Sequence, residues 1–142
     1  MGLQQLKKLE SLDQARRENF KKLSDIFEPY KQYFHLPVAT NKADPCWFGY
    51  LMTVRPDAPF DKEDIVRYME DSKIQTRSYF AGNILAHPGY RHLSFKYTNL
   101  SKSFPIARLV TTHSFFLGTF AGLTDDKMAY IKKTVDQFFE DL

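Results

Sequence analysis

Apolar positions along the chain fall into helix-like and strand-like runs separated by prolines, glycines and polar clusters. Residues 3 to about 30 predict one long helix. Leu3, Leu6, Leu9 and Leu12 recur every three residues, Phe20, Leu23 and Phe27 continue at helical intervals, and no proline intervenes before Pro29. Such a helix is about 40 Å long, more than one small core needs. It reads either as a core helix with a frayed start or as a connector to another domain. Its start, already inside the amphipathic pattern, favours a connector over residues 1–30 and a small domain over residues 31–142.

Phe34-His35-Leu36-Pro37-Val38 predicts a short extended piece, and residues 40–45 a polar turn. Residues 46–54 are almost all apolar, aromatic or β-branched, which predicts a strand covered on both faces. Gly49 inside it predicts close approach of another backbone or a large ring. A Pro-containing loop follows over residues 55–60. Asp61 opens a second helix, with Asp64 three positions on completing a capping box, and Ile65, Tyr68 and Met69 on its buried face. Residues 75–83 predict a strand and turn. Residues 84–107 lack a sustained period and read as a long loop with aromatic anchors at Tyr90, Phe95, Tyr97 and Phe104. A strand is expected over residues 113–117 and a turn at Ala121-Gly122-Leu123. A last helix is capped by the Thr124 hydroxyl and buries Met128, Ile131, Val135 and Phe138. This order predicts an α+β fold: a small, mostly antiparallel sheet with helices packed on one side.

Length and composition are those of one domain with a real core: 142 residues, 43% hydrophobic and 26% charged. The 13 phenylalanines are more than such a core usually holds, and point to a dense interior or a surface that something else covers. The net charge of +3 is mild. The basic pairs Lys7-Lys8, Arg16-Arg17 and Lys21-Lys22 alternate with acids, the pattern of a solvated helix face, so no nucleic-acid partner is expected. One cysteine, Cys46, excludes an internal disulfide and an all-cysteine metal or cluster site on this chain, and reads as inert packing. No apolar run is long enough for a membrane span. The expected compartment is the cytoplasm.

Candidate chemistry is concentrated in one place. No phosphate loop, nucleophile elbow or metal-ligand spacing occurs, and His87 and His92 have no carboxylate beside them in sequence. His113 reads as a hydrogen-bonded structural residue. Arg77, in a strand that runs into Phe80-Ala81-Gly82-Asn83, needs a counter-anion or a solvent edge. It is either half of an internal salt bridge or a clamp for an anionic or hydroxylated ligand.

Trp47-Phe48-Gly49, Thr76-Arg77, Phe80-Ala81-Gly82-Asn83, His87-Pro88-Gly89-Tyr90, Ser114-Phe115-Phe116-Leu117-Gly118 and Gly122-Leu123-Thr124 together resemble the C-terminal part of the DegT/DnrJ/EryC1/StrS family of vitamin-B6-dependent sugar-nucleotide enzymes. Within that family the Phe-Ala-Gly-Asn run is most similar to the CDP-4-dehydro-6-deoxyglucose 3-dehydrase type of lipopolysaccharide biosynthesis. The resemblance covers the whole chain but only about the last third of the family's length. It implies the small domain of an aspartate-aminotransferase-like fold and a homodimeric parent. Pyridoxal or pyridoxamine phosphate, the catalytic histidine and any iron–sulfur cysteines would lie in the large N-terminal domain, so no catalytic or metal residue is assigned here. It also implies that Arg77, Phe80, Asn83 and Tyr90 line the nucleotide-sugar cleft and that this chain alone is inactive. Leu85-Ala86 and Ala121 depart from the family pattern, which leaves the substrate's identity open. A sugar 4-aminotransferase domain and a freestanding sugar-nucleotide or protein-binding module remain as alternatives.

Overall fold

A computed structural model of the chain describes residues 2–80, 82–96 and 99–142. Ala81 and Tyr97, which belong to the expected turn and loop, lie outside the described residues, as does the side chain of Phe95. The sheet is organised on β2 (Gly49–Val54) and β4 (Ser114–Gly118), paired antiparallel from Gly49↔Gly118 to Thr53↔Ser114. β1 (Phe34–His35) adds to β2 and β3 (Arg77–Ser78) to β4, giving the order β1-β2-β4-β3 with every pair antiparallel. This is the expected fold class.

Strand alternation decides which side the helices cover. Tyr50, Met52 and Val54 on β2 and Phe115 and Leu117 on β4 are buried on one face. They meet Leu23, Ile26 and Phe27 of α2 (Leu9–Phe27), Ile65 and Met69 of α3 (Lys62–Asp71), and Met128, Ile131, Val135 and Phe138 of α6 (Asp125–Glu140). The opposite face of β2 carries Leu51 and Thr53, which are only half-buried, so the expectation of full cover on both faces is corrected. β2 is also shorter than expected, and Cys46 lies ahead of it in irregular chain.

The core is aromatic where α2, β1 and α6 converge. Phe34 meets Phe27, Phe60 and Phe139 at centroid separations of 5.9, 5.8 and 6.1 Å. Tyr30 stacks on Phe139 at 3.9 Å, and its hydroxyl donates to Asp136 Oδ1 at 2.9 Å. Burial first, then the hydrogen bond to Asp136, pushes the Tyr30 phenol up from 10.0 to about 12. A phenol whose folded pKa is raised contributes stability that is intact below pH 10 and is lost as pH rises towards 12. Urea midpoints measured from pH 9 to 12 are expected to fall over that window, and Tyr30→Phe to flatten the fall. An unchanged slope would remove Tyr30 as its source.

The predicted first helix forms in two pieces, α1 (Gly2–Leu6) and α2, broken by a turn at Lys7-Lys8, and it closes in a 3-10 turn over Glu28–Tyr30 that accommodates Pro29. Leu3, Leu6, Leu9 and Leu12 are all exposed. Three-residue spacing explains this: on a helix of about 3.6 residues per turn such positions drift around the surface instead of forming one stripe. The Asp61–Asp64 capping box forms as expected, with Asp61 Oδ1 accepting from the Asp64 N–H at 3.0 Å and Asp64 Oδ2 from the Asp61 N–H at 2.9 Å. Thr124 occupies the cap position of α6, but its hydroxyl makes no capping bond. Asp125 and Asp126 supply the acidic first turn, and Lys22 of α2 pairs with Asp125.

The largest correction falls on residues 84–107. In place of a loop the chain forms 3-10 helices at Ile84–Ala86 and Pro88–Lys96, then α4 (Leu100–Ser103) and α5 (Pro105–His113). Pro105 starts α5, where a missing N–H costs nothing and the fixed φ suits a helix. His113 ends α5 and does not begin β4. Its Nδ1 is hydrogen-bonded to Thr112 Oγ1 at 2.7 Å, in keeping with a structural role.

Candidate functional site

β3 is an edge strand that separates from β4 after two paired residues, Arg77↔Phe116 and Ser78↔Phe115. The chain is anchored just upstream. Glu70 Oε1, at the end of α3, accepts from both the backbone N–H and the hydroxyl of Thr76, at 2.5 and 2.7 Å. Those two bonds hold the Glu70 carboxyl below its usual range. They also tie the chain before Arg77 to α3, and Leu117 and Gly118, which have no β3 partner, are among the residues lining an open cleft of about 1130 Å³.

One wall of the cleft is aromatic. Phe116 lies edge-on to Phe48 at 5.4 Å, and Phe80 lies 6.2 Å from Phe48 and 6.4 Å from Phe116. Gly49 permits this, because a Cβ there would sit 2.6 Å from the Phe116 ring, the close ring approach expected of that position. Phe48 and Phe120 sit in facing segments that are tied together. The buried Thr119 donates its N–H to the Phe48 carbonyl and its hydroxyl to the Trp47 carbonyl, and Asn19 of α2 donates Nδ2 to the Phe120 carbonyl at 2.9 Å. Asn19 is only 4% exposed, so Asn19→Ala removes a buried side chain together with its bond to the Phe120 carbonyl and is expected to cost about 1–2 kcal/mol in urea unfolding, whereas the exposed Gln5→Ala should change nothing measurable.

Phe80 carries a further mark. Its φ is +47°, in the left-handed region that aromatic residues rarely adopt, and its ring is 68% exposed. Phe80 is among the residues lining the cleft, and observed strain of this kind concentrates at functional sites.

The cleft is also cationic. Arg77, Lys73 and Lys127 line it, and Asp126 is the carboxylate among its lining residues. Arg77 is exposed and forms no ion pair among the described residues, so the internal salt bridge is not what satisfies it. Lys127 donates one N–H to the Gly122 carbonyl at 2.9 Å and lies 6.0 Å from the centre of the Phe120 ring.

The structure therefore brings Arg77 and Phe80 together, while Asn83 and Tyr90 are not among the residues lining the cleft. Asn83 is buried. Its Oδ1 accepts from the Leu85 N–H to cap the Ile84–Ala86 turn, and its own N–H donates to Thr111 Oγ1. Tyr90 is exposed on the Pro88–Lys96 helix. Sequence reasoning missed Phe48, Phe120, Lys73 and Lys127 as site residues. The turn and strand ends that hold the two phenylalanines were legible, but their convergence depends on the β2–β4 register. Cys46, hydrogen-bonded to the Asp13 carboxylate and half-buried, has its thiol pushed up first by that bond and then by burial, which fits an unreactive cysteine.

Known proteins share this sequence and fold. The chain is 31% identical over 138 residues, 97% of its length, to dTDP-4-dehydro-2,6-dideoxy-D-glucose 3-dehydratase of Saccharopolyspora spinosa. It is 28% identical over 142 residues to the lipopolysaccharide biosynthesis protein RfbH of Salmonella typhimurium. It spans 29% and 31% of the lengths of these two relatives. Its fold matches Escherichia coli GDP-4-keto-6-deoxy-D-mannose-3-dehydratase, solved with hydrated PLP bound, at a TM-score of 0.74 and 21% identity, covering 94% of this chain and 33% of that one. Residues 1–136 match the DegT/DnrJ/EryC1/StrS aminotransferase family, and the chain belongs to it.

Proposed function

We propose that this chain is the small C-terminal domain of a pyridoxal- or pyridoxamine-phosphate-dependent sugar-nucleotide 3-dehydrase, a lyase that removes the C-3 hydroxyl of a nucleotide-linked 4-keto-6-deoxyhexose in deoxysugar or lipopolysaccharide biosynthesis. The observation that carries the reading is the 31% identity to a sugar 3-dehydratase over nearly the whole chain. The remaining two-thirds of the relatives' length has no counterpart here, and in this reading it supplies the large N-terminal domain.

Among the described residues no lysine is buried, as a cofactor-bound lysine would be. Lys73 and Lys127 in the cleft are both exposed. Lys62, whose side chain is 12% exposed, donates to the Thr111 carbonyl and lies 3.7 Å from Glu63. The cofactor, which supplies the electron sink of the parent reaction, belongs in this reading to the large domain. This chain binds and orients substrate: Arg77 and Phe80 form one wall of the cleft, Asn83 shapes the turn that presents Phe80, and Tyr90 lies towards the large domain. Residues 1–30 form the connector, whose exposed Leu3, Leu6 and Leu9 are then covered by the large domain. The parent is a cytoplasmic homodimer.

The test is a chimera in which this chain replaces the matching C-terminal segment of the Saccharopolyspora spinosa dehydratase. The expected result is a cofactor-loaded protein that removes the C-3 hydroxyl from the relative's own substrate, with Arg77→Ala losing at least about tenfold in kcat/KM. A folded, cofactor-loaded chimera that transfers an amino group instead, or does nothing, would overturn the dehydrase reading.

A further inference from the structure

We infer that the cleft beside β3 holds the nucleoside diphosphate end of the ligand, not its sugar, with the diphosphate on Arg77, Lys73 and Lys127 and the base against Phe48, Phe80 and Phe120. This rests on the sugar-nucleotide reading above and assigns which part of such a ligand the small domain takes.

The polar groups available in the cleft choose between the two ends. Neutral sugar hydroxyls are held by acceptors and donors in combination, chiefly carboxylates, which accept, and amides, which do both. Here Asp126 is the one carboxylate and Gln75 the one amide among the described lining residues, against three cations, and the Tyr130 hydroxyl already donates to the Ser72 carbonyl. Cations without acceptor capacity suit phosphate oxygens. Arg77 is unpaired among the described residues, and Lys127 keeps two N–H donors after its bond to Gly122.

The aromatic wall accounts for the rest of the ligand. Phe48, Phe80 and Phe120 are 53%, 68% and 53% exposed, although 13 phenylalanines could have been packed elsewhere. Three exposed rings beside three cations match what a flat base joined to two phosphates needs, and base–ring stacking tolerates any base. The open cleft, about 1130 Å³, has room for a nucleoside diphosphate.

The experiment uses the 142-residue chain alone, so it is independent of turnover by any chimera. Uridine diphosphate, inorganic pyrophosphate, uridine and free glucose are titrated by amide-shift mapping and calorimetry. Uridine diphosphate is expected to bind with shifts at Arg77, Phe80 and Lys127, more weakly as salt rises, and about tenfold tighter than pyrophosphate. Arg77→Ala and Lys127→Ala should each weaken it about tenfold, and Phe80→Ala should weaken uridine diphosphate but not pyrophosphate. All three side chains are exposed, so unchanged urea midpoints are expected to certify the variants. Absence of uridine diphosphate binding at millimolar concentration, equal binding by glucose, or wild-type affinity in Arg77→Ala and Lys127→Ala would each overturn the assignment. If the chimera dehydrates its sugar while this titration fails, the function stands and the subsite falls.

Discussion

Phe34→Ala is expected to remove about 3–5 kcal/mol of stability, a large share of the roughly 5–15 kcal/mol that a domain of this size possesses. Phe34 is 1% exposed in a strand of two residues, so backbone pairing holds it weakly and its ring supplies most of what β1 contributes. That ring contacts Phe27 at the end of α2, Phe60 ahead of α3 and Phe139 in α6. Truncation leaves a cavity walled by three stiff rings, which cannot collapse far, and this places the cost high in the range for such changes. Urea unfolding at neutral pH should show the midpoint falling by about 1.5–3 M. Phe34→Leu refills much of the space and should lose less than half as much. A fall of under about 1 kcal/mol for the alanine variant would mean that the aromatic cluster does not join the helices through Phe34.

Residues whose neighbours are set by local periodicity were legible in the sequence. The capping box at Asp61 and Asp64 depends on three residues of spacing, and the inner stripe of α6 on 3.6. Gly49 announced a close ring because a glycine within an apolar strand has few other uses, and Phe116 is that ring. The leucines at 3, 6, 9 and 12 misled because spacing of three resembles a helical repeat over one turn and departs from it over three. α5 was missed because proline was read as a break, whereas Pro105 stands at a helix start. The site was half legible. Arg77 and Phe80 are contiguous with a turn signal, but Lys73, Lys127, Phe48 and Phe120 reach the cleft where β3 separates from β4, and the Glu70–Thr76 contact that ties the chain there spans a separation no periodic pattern reports.

Gly82→Ala is expected to dismantle the presentation of Phe80 at a global cost of about 2–4 kcal/mol. Two effects act together. Gly82 has φ +59°, where alanine pays a backbone penalty of about 1 kcal/mol. The added Cβ would also stand 2.1 Å from Thr111 Oγ1 and 2.8 Å from its Cβ, an overlap that cannot persist. Thr111 is poorly placed to yield, because its hydroxyl donates to the Ala107 carbonyl at 2.7 Å within α5 while accepting the Asn83 N–H at 2.9 Å. Relief therefore requires the turn to move off α5, which breaks the Asn83 anchor and lifts Phe80 away from Phe48 and Phe116. The double variant Gly82→Ala/Thr111→Ala removes the overlap but not the backbone penalty. It should be more stable than the sum of the two single changes predicts, by about 1–2 kcal/mol. Amide shifts should move at Phe80 and Asn83 in the single glycine variant and leave the core residues Tyr50 and Met52 unchanged. A glycine variant of unaltered stability, or strict additivity in the double variant, would show that the turn does not rest on α5 through Thr111.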